Sequence, residues 1–286
     1  VRSSAASDVY KRQVPREEGI QLDKRPIGVM DSGVGGLTVL KEITKVLPNE
    51  SYIFVGDQAN LPYGQKSSEV VRALTKRIAD YMLAQDVKMF VIACNTATAA
   101  AYEYLTKILP IPVIGVIQPG ATSAANVSKT GQIGVIATNG TVRSGDYQRL
   151  IKQANPHAKV SSLGCPEFVT MVEEGLAGTV EAQAAVNNRL AWFMDKPIDT
   201  LVMGCTHFPV LRTEIQNVVG PDVTLVDPGI ATAQQVLDYL QQHDALNDRS
   251  ASRQTREYFT TGKPKDFAKI ADQLLGEPIS AAHLDI

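Results

Sequence analysis

The chain has 286 residues, 44% of them hydrophobic, enough for one large or two medium domains with substantial cores. Its 28 Lys and Arg against 30 Asp and Glu leave a net charge of −2, which provides no long-range field to draw in nucleic acid or an anionic membrane. No apolar run reaches the roughly 18 residues of a membrane span, no signal pattern is present, and three scattered cysteines make neither a disulfide framework nor a CxxC pair, so the expectation is a cytoplasmic globular protein with free thiols and no nucleic-acid or membrane partner.

Residues 1–21 are expected to be a non-native tail without a fold of its own. Ser3–Gln13 resembles the translation of an adapter used in sequencing libraries, and Arg16–Gly19 fits a purine-rich ribosome-binding site read in frame before a non-ATG start at Leu22. From Pro26 onward, short apolar runs alternate with stretches of helical period, the pattern of βα units on a mostly parallel sheet. Ile27–Met30 predicts the first strand. Thr38–Leu47 then sets Val39, Ile43, Val46 and Leu47 on one helical face and stops at Pro48-Asn49. Tyr52–Val55 predicts a second strand closing on Gly56-Asp57, and a long helix over 67–84 has Ser67-Ser68 placed to cap it. Phe90–Ala93 forms a third strand running into Cys94, Val113–Val116 a fourth, and Gln118-Pro119-Gly120 reads as a crossing point.

After that point the pattern restarts. Gln132–Gly140 echoes Pro26–Gly33; Val160–Leu163, closing on Gly164-Cys165-Pro166, echoes the strand before Asp57; and Leu201–Gly204, running into Cys205, echoes the Cys94 strand. Gly28 to Cys94 is 66 residues and Gly134 to Cys205 is 71. Three corresponding strand ends in one order predict an α/β fold of two pseudo-symmetric lobes, with mostly parallel sheets and a cleft between them. Thr224–Val226 would lead back toward the first lobe, completed by a helix over 231–242 and the segment after Arg256. Lobe one is thus expected over 22–118 plus 228–286, and lobe two over 119–227.

Two strand ends share one build: an apolar run, a small residue, a cysteine and a polar turn, as in Cys94-Asn95-Thr96 and Cys205-Thr206-His207. Open α/β sheets place their chemistry at such ends. A single strand-end cysteine is more often a small buried hydrophobe, and Cys165, without a polar turn, is expected to be structural. Two matched thiols instead predict like groups acting on one small molecule. A free thiol with a pKa of about 8.5 is mostly protonated near neutral pH, so each needs a helper. Asp31, after the first strand, and His207, two residues beyond Cys205, are placed to serve. A thiolate on one face of a carbon and a thiol on the other would invert a stereocentre. Ser32, Asn95, Thr96, Thr138 and Thr206 supply amides and hydroxyls for the substrate's charged groups and the developing carbanion. No arginine stands in these turns, so the donors are neutral. The scatter of His157, His243 and His283 gives no metal-ligand spacing. Gly33, Gly35 and Gly36 lack the third glycine of GxGxxG and no Walker lysine follows, which favours a backbone nest for a carboxylate over a nucleotide site.

Taken together, Asp31-Ser32-Gly33-Val34-Gly35-Gly36-Leu37-Thr38, Pro62-Tyr63-Gly64, Cys94-Asn95-Thr96-Ala97-Thr98 and Gly204-Cys205-Thr206-His207 resemble the motif set of the cofactor-independent glutamate racemases, in order, from about Arg25 to near the C-terminus. The resemblance implies activity without pyridoxal phosphate or metal, L- and D-glutamate as substrates, D-glutamate supply for peptidoglycan, and a homodimer. Carried over by motif, Cys94 would deprotonate the D-enantiomer with help from Asp31, and Cys205 the L-enantiomer with help from His207. Asp31, Ser32, Tyr63, Gly64, Asn95, Thr96, Thr206 and His207 match substrate-binding positions; Asp57 and Glu173 match acidic supporting ones. Asp57-Gln58-Ala59-Asn60 departs from the more basic approach of many relatives, and Phe208 replaces a frequent tyrosine. An aspartate or hydantoin racemase of the same superfamily would share the paired cysteines, although Pro62-Tyr63-Gly64 with Cys205-Thr206-His207 favours glutamate. A two-lobed solute-binding protein would need no thiols.

Overall fold

The computed structural model describes residues 23–247 and 254–286, so the tail expected at 1–21 lies outside the described residues. The first half runs β1 (Ile27–Asp31), α1 (Leu37–Val46), β2 (Tyr52–Gly56), α2 (Ser68–Ala84), β3 (Met89–Ile92), α3 (Asn95–Ile108) and β4 (Val113–Gly115). Every residue of β1, β2 and β3 is buried, as parallel strands covered by helices on both faces should be. Alternation along β1 sends Ile27 and Val29 to a core with Leu40 and Ile43 of α1, while Met30 faces Ile78 and Met82 of α2. Ser67 caps α2 as expected, its side chain accepting from the Val70 N–H.

The passage to the second half falls at the crossing point expected at Gln118-Pro119-Gly120, and it is made by a helix, α4 (Ile117–Val127). Those residues occupy its first turn, where a proline costs no intrahelical hydrogen bond. Gly120 is required there by packing, because a Cβ would lie 2.9 Å from Pro228 Cβ. The second half then contains β5 (Gln132–Ala137), α5 (Asn139–Ser144), α6 (Asp146–Ala154), β6 (Lys159–Gly164), α7 (Pro166–Glu173), α8 (Val180–Leu190), β7 (Thr200–Gly204), α9 (Arg212–Val219) and β8 (Thr224–Val226). Helices α4 and α6 cover one face of its sheet, α7, α8 and α9 the other. The chain finally returns through α10 (Pro228–Gln242), β9 (Arg256–Thr260), α11 (Pro264–Leu275) and β10 (Ala281–His283). Helix α10 begins at Pro228 rather than near 231, because Asp227 caps it by accepting from the Gly229 N–H at 2.8 Å.

The sheet orders are β10-β9-β2-β1-β3-β4 and β6-β5-β7-β8, with every pairing parallel. The arrangement β2-β1-β3-β4 is repeated as β6-β5-β7-β8, so the echo seen in the sequence is an echo of topology. In each half the order reverses beside the first strand, which opens a crevice at the C-terminal ends of β1 and β3, and of β5 and β7. Among the described residues no helix is long and apolar enough to cross a membrane.

A buried ion pair fastens the chain's entry into this fold to its return. Lys88 Nζ lies 2.6 Å from Glu50 Oε2, with the two side chains 1% and 2% exposed. Lys88 also donates to the carbonyls of Asp23 and Ala245 at 2.8 Å each, and Glu50 Oε1 accepts from the Asn247 N–H at 2.8 Å. Removing one charge strands the other in the interior. Lys88→Ala should therefore lower unfolding free energy by about 3–5 kcal/mol in urea titration, and the apolar pair Lys88→Met with Glu50→Leu should recover most of that loss.

Candidate active site

Strand ends bring the two predicted thiols to one cavity. The Ala93 N–H donates to the Met30 carbonyl at 2.9 Å, which holds the turn after β3 beside the turn after β1 and sets Cys94 next to Asp31. In the other half β7 delivers Cys205 beside Thr138, which follows β5. The small residue before Cys205 is dictated by clearance, since a Cβ on Gly204 would lie 2.9 Å from the Ile136 carbonyl oxygen.

The two thiols have unlike surroundings. Cys94 caps α3, with the Ala97 N–H donating to Sγ at 3.5 Å, and its thiol donates to Ser32 Oγ at 3.6 Å. Burial pushes this thiol up to about 12, the Asp31 carboxylate adds to the rise, and the bond from the Ala97 N–H only partly opposes it. Cys94 therefore rests protonated near neutral pH. Cys205 Sγ instead lies 3.7 Å from Nδ1 of His207, whose Nε2 is 2.6 Å from Oε1 of Glu173 at the end of α7. Burial works against a charged His207, but the bonds to Cys205 and Glu173 outweigh it and bring the ring up to about 10. Cys205 thus sits against an imidazolium.

Asp31 is fully buried, and burial raises its pKa against the opposing pull of His207 and of the Gly33 and Gly36 N–H groups. Its Oδ2 accepts from the Gly33 N–H at 3.0 Å, while Oδ1 accepts from the Thr206 hydroxyl at 3.3 Å, across the cleft. It makes no direct hydrogen bond to Cys94 and reaches that sulfur through its field. The glycine turn after it corrects the nest expectation: Gly33, Gly35 and Gly36 have no left-handed φ, and the carboxylate the turn holds is that of Asp31. These glycines are needed for close approach. A Cβ on Gly35 would lie 2.5 Å from Thr206 Oγ1 and 2.6 Å from His207 Nδ1, and one on Gly36 would lie 2.4 Å from Asp31 Cβ.

Asp57 braces the loop that carries Tyr63 and Gly64. It accepts from the Tyr63 hydroxyl at 2.6 Å, Asn60 Nδ2 at 2.9 Å and the Thr261 hydroxyl at 2.7 Å. Burial first, and Asp57 second, hold Tyr63 well above the usual tyrosine range, so it stays a neutral donor. Gly64 meets the other half at Thr138, where a Cβ would lie 2.8 Å from Thr138 Cβ. Thr138 Oγ1 in turn lies 2.9 Å from Thr96 Oγ1.

These turns line a cavity of about 40 Å³, with Cys94 and Cys205 in its wall together with Ser32, Tyr63, Gly64, Asn95, Thr96, Thr138, Thr206 and His207. Asp31, Asp57 and Glu173 stand one bond behind that wall. Among the described residues no lysine or arginine lines it. Asn139 and Gln65 also line it; Asn139 lies in the polar turn that echoed the first half, whereas nothing in the sequence marked Gln65, Thr261 or Tyr147, which donates to Asn95 Oδ1 at 2.7 Å. Cys165 is buried and does not itself line the cavity. Among the described residues no three His, Cys, Asp or Glu side chains are grouped to hold a metal ion.

Paired parallel sheets that turn matched thiols into one cavity define a two-lobed racemase fold. The family model for Asp/Glu/Hydantoin racemase matches residues 27–236, and the chain belongs to that family. A glutamate racemase of Levilactobacillus brevis is 52% identical over 263 residues, covering 91% of this chain and 95% of that protein. Among solved structures, a glutamate racemase isoform from Bacillus anthracis superposes with a TM-score of 0.89 at 40% identity, covering 92% of this chain and 98% of that one. The glutamate racemase of Francisella tularensis, solved in complex with D-glutamate, gives 0.86 at 35% identity over 92% of this chain and 98% of that one.

Two measurements probe this geometry. Gly35→Ala should cost about 1–3 kcal/mol in urea unfolding, because the added methyl overlaps Thr206 and His207. For His207, a folded pKa near 10 against the ordinary 6.5 means its stabilising contribution is complete below pH 6.5 and is lost as pH rises through 10. The stability gap between the parent and His207→Gln should accordingly narrow by more than about 1.4 kcal/mol between pH 6.5 and 10, the equivalent of one pKa unit. A constant gap would reject the imidazolium.

Proposed function

We propose that this protein interconverts L- and D-glutamate by two-base proton transfer at Cα. The observation that carries the reading is the pair of thiols at matching strand ends of one cavity, each with a different partner. Cys94 takes the proton from the D-enantiomer and Cys205 from the L-enantiomer. In the L-to-D direction the Cys205 thiolate, stabilised by the His207 imidazolium, removes the Cα proton, and the Cys94 thiol delivers its own proton to the opposite face. The pair then holds its proton on Cys205 and its negative charge on Cys94, which is the state that acts on D-glutamate. Asp31, fully buried and in the field of Cys94, assists that thiol, and Glu173 keeps the His207 ring oriented and charged. Ser32, Asn95, Thr96, Thr206 and the Tyr63-Gly64 turn hold the carboxylates and amino group, with Thr138 behind Thr96.

A cavity of about 40 Å³ has room for only a few water molecules. The halves therefore part to admit an amino acid and close over it, which removes water from the thiolate. We assign one lobe to 22–118 plus 228–286 and the other to 119–227; the pairing of β9 on β2 and the packing of α10 on α1 support that division. Glutamate as substrate is supported by the relatives above, which are glutamate racemases, one of them solved with D-glutamate. By the same family resemblance, the D-glutamate formed serves peptidoglycan synthesis in the cytoplasm, and the working unit is a homodimer.

Incubation with L-glutamate in deuterated water tests the reading. Optical activity should decay while deuterium enters at Cα, and Cys94→Ser or Cys205→Ser should each lower kcat/KM by about 10²–10⁴-fold, the usual contribution of a general acid or base. Retention of both signals by the double serine variant would refute the two-thiol mechanism. L-Aspartate, one methylene shorter, should be turned over with kcat/KM lower by about tenfold or more.

A further inference from the structure

We propose that Tyr147 is a positioning residue for Asn95: its hydroxyl, reaching across the cleft from α6, turns the Asn95 amide so that Nδ2 faces the cavity as the donor to a substrate carboxylate. The inference rests on the glutamate reading above and adds a residue that no motif marks.

Asn95 opens α3, lines the cavity and is 4% exposed. A primary amide can present either its oxygen or its nitrogen, and a carboxylate accepts hydrogen bonds without donating any. Only one of the two orientations is useful in a wall without lysine or arginine. Tyr147 Oη lies 2.7 Å from Asn95 Oδ1, and among the described residues Oη donates to no other group and Nδ2 has no protein partner. In the reverse orientation Nδ2 would be spent on Oη, the phenolic proton would be left without an acceptor in the interior, and Oδ1 would confront the substrate's negative charge. Both ends of the amide thus select the same orientation. Burial keeps Tyr147 neutral, raising it well above the ordinary tyrosine value, so the phenol retains the proton it donates.

The seat of this tyrosine is built by glycines. Tyr147 is 3% exposed, and a Cβ on Gly204, directly before Cys205, would lie 3.0 Å from its Cε2. A Cβ on Gly120, in α4, would lie 3.2 Å from its hydroxyl. The ring therefore packs beneath the Cys205 turn while its hydroxyl engages the Cys94 turn. Because its two ends belong to different sheets, the bond forms only when the halves are together. Carboxylate recognition at Asn95 is in this way tied to closure.

Tyr147→Phe removes the hydroxyl and keeps the ring. It should raise KM for both glutamate enantiomers about fivefold, the scale of one hydrogen bond, with kcat changed less than about twofold. Asn95→Ala should raise KM further, and adding Tyr147→Phe to it should produce no additional rise, since the phenol would then have nothing to orient. An equal fold-loss from Tyr147→Phe in both backgrounds would overturn the proposal in favour of a bracing role. Asn95→Asp, which keeps the acceptor for Tyr147 but replaces Nδ2 with an oxygen, tests the orientation with Tyr147 untouched: KM should rise more than about tenfold, and an unchanged KM would also overturn it. Parent protein that neither binds nor turns over glutamate would retire the substrate reading itself, whereas parent activity with an unchanged KM in Tyr147→Phe would retire only the role of Tyr147.

Discussion

Close approach of the turns after β1 and β7 is the constraint on which the site depends. Gly35 passes so near Thr206 and His207 that no side chain fits between them. The Thr38 hydroxyl lies 2.9 Å from the Thr206 carbonyl, and the Thr206 hydroxyl bonds to Asp31. Three consequences follow from that apposition. Both thiols lose water, which raises the free energy of any thiolate that lacks a partner. Asp31, at the end of β1, comes to interact with both Cys94 and His207 although they belong to different halves. Third, Cys94 and Cys205, from different halves, come to line one cavity of about 40 Å³.

Within that shared geometry, local backbone makes the halves unequal. Cys94 leads directly into α3, a helix of 14 residues, and its sulfur serves as the cap. Cys205 is followed by Thr206 and His207 before a short 3-10 turn over Phe208–Leu211 begins. This delay of two residues leaves the His207 ring free to lie back against Cys205 on one side and Glu173 on the other. A sulfur at a helix N-terminus receives backbone N–H support, whereas a sulfur beside an imidazolium receives a full charge. The repeat supplies two matched thiols, and the differing helix starts give them different partners.

Legibility in the sequence followed the range of the interaction. Strands and thiols were readable because β-branched runs and the polar turns after them are local, and the repeated order of strand ends gave the two sheets. The helical identity of Gln118-Pro119-Gly120 was not, since a proline and a glycine signal a break unless they fall in a first turn packed against a distant residue, here Pro228. The glycine turn has the composition of an anion nest, yet its close packing is set by Thr206 and His207, which lie far along the chain. Tyr147 and Thr261 carry no motif for the same reason: each acquires meaning only through a partner that tertiary structure supplies, Asn95 for one and Asp57 for the other.

The absence of lysine and arginine from the wall bears on the chemistry in a way that substrate binding alone would not suggest. The two-base inversion proposed above starts and ends with one thiolate and one thiol, with both sulfurs protonated only while the charge is on Cα, so it calls for a cavity that stabilises a single negative sulfur. His207 supplies one buried positive charge beside Cys205, and Glu173 fixes it there. A second cation placed to grip a substrate carboxylate would also lower the pKa of Cys94 and favour ionisation of both sulfurs, leaving no proton to return. Neutral donors hold carboxylates without that effect, and the Asp31 carboxylate reinforces it by pushing the Cys94 thiol upward. On the proposed reading, the orientation of amides and hydroxyls carries the recognition that charge would otherwise provide, which gives weight to side chains set behind the wall, such as Tyr147, bonded to Asn95, and Asp57, bonded to Tyr63.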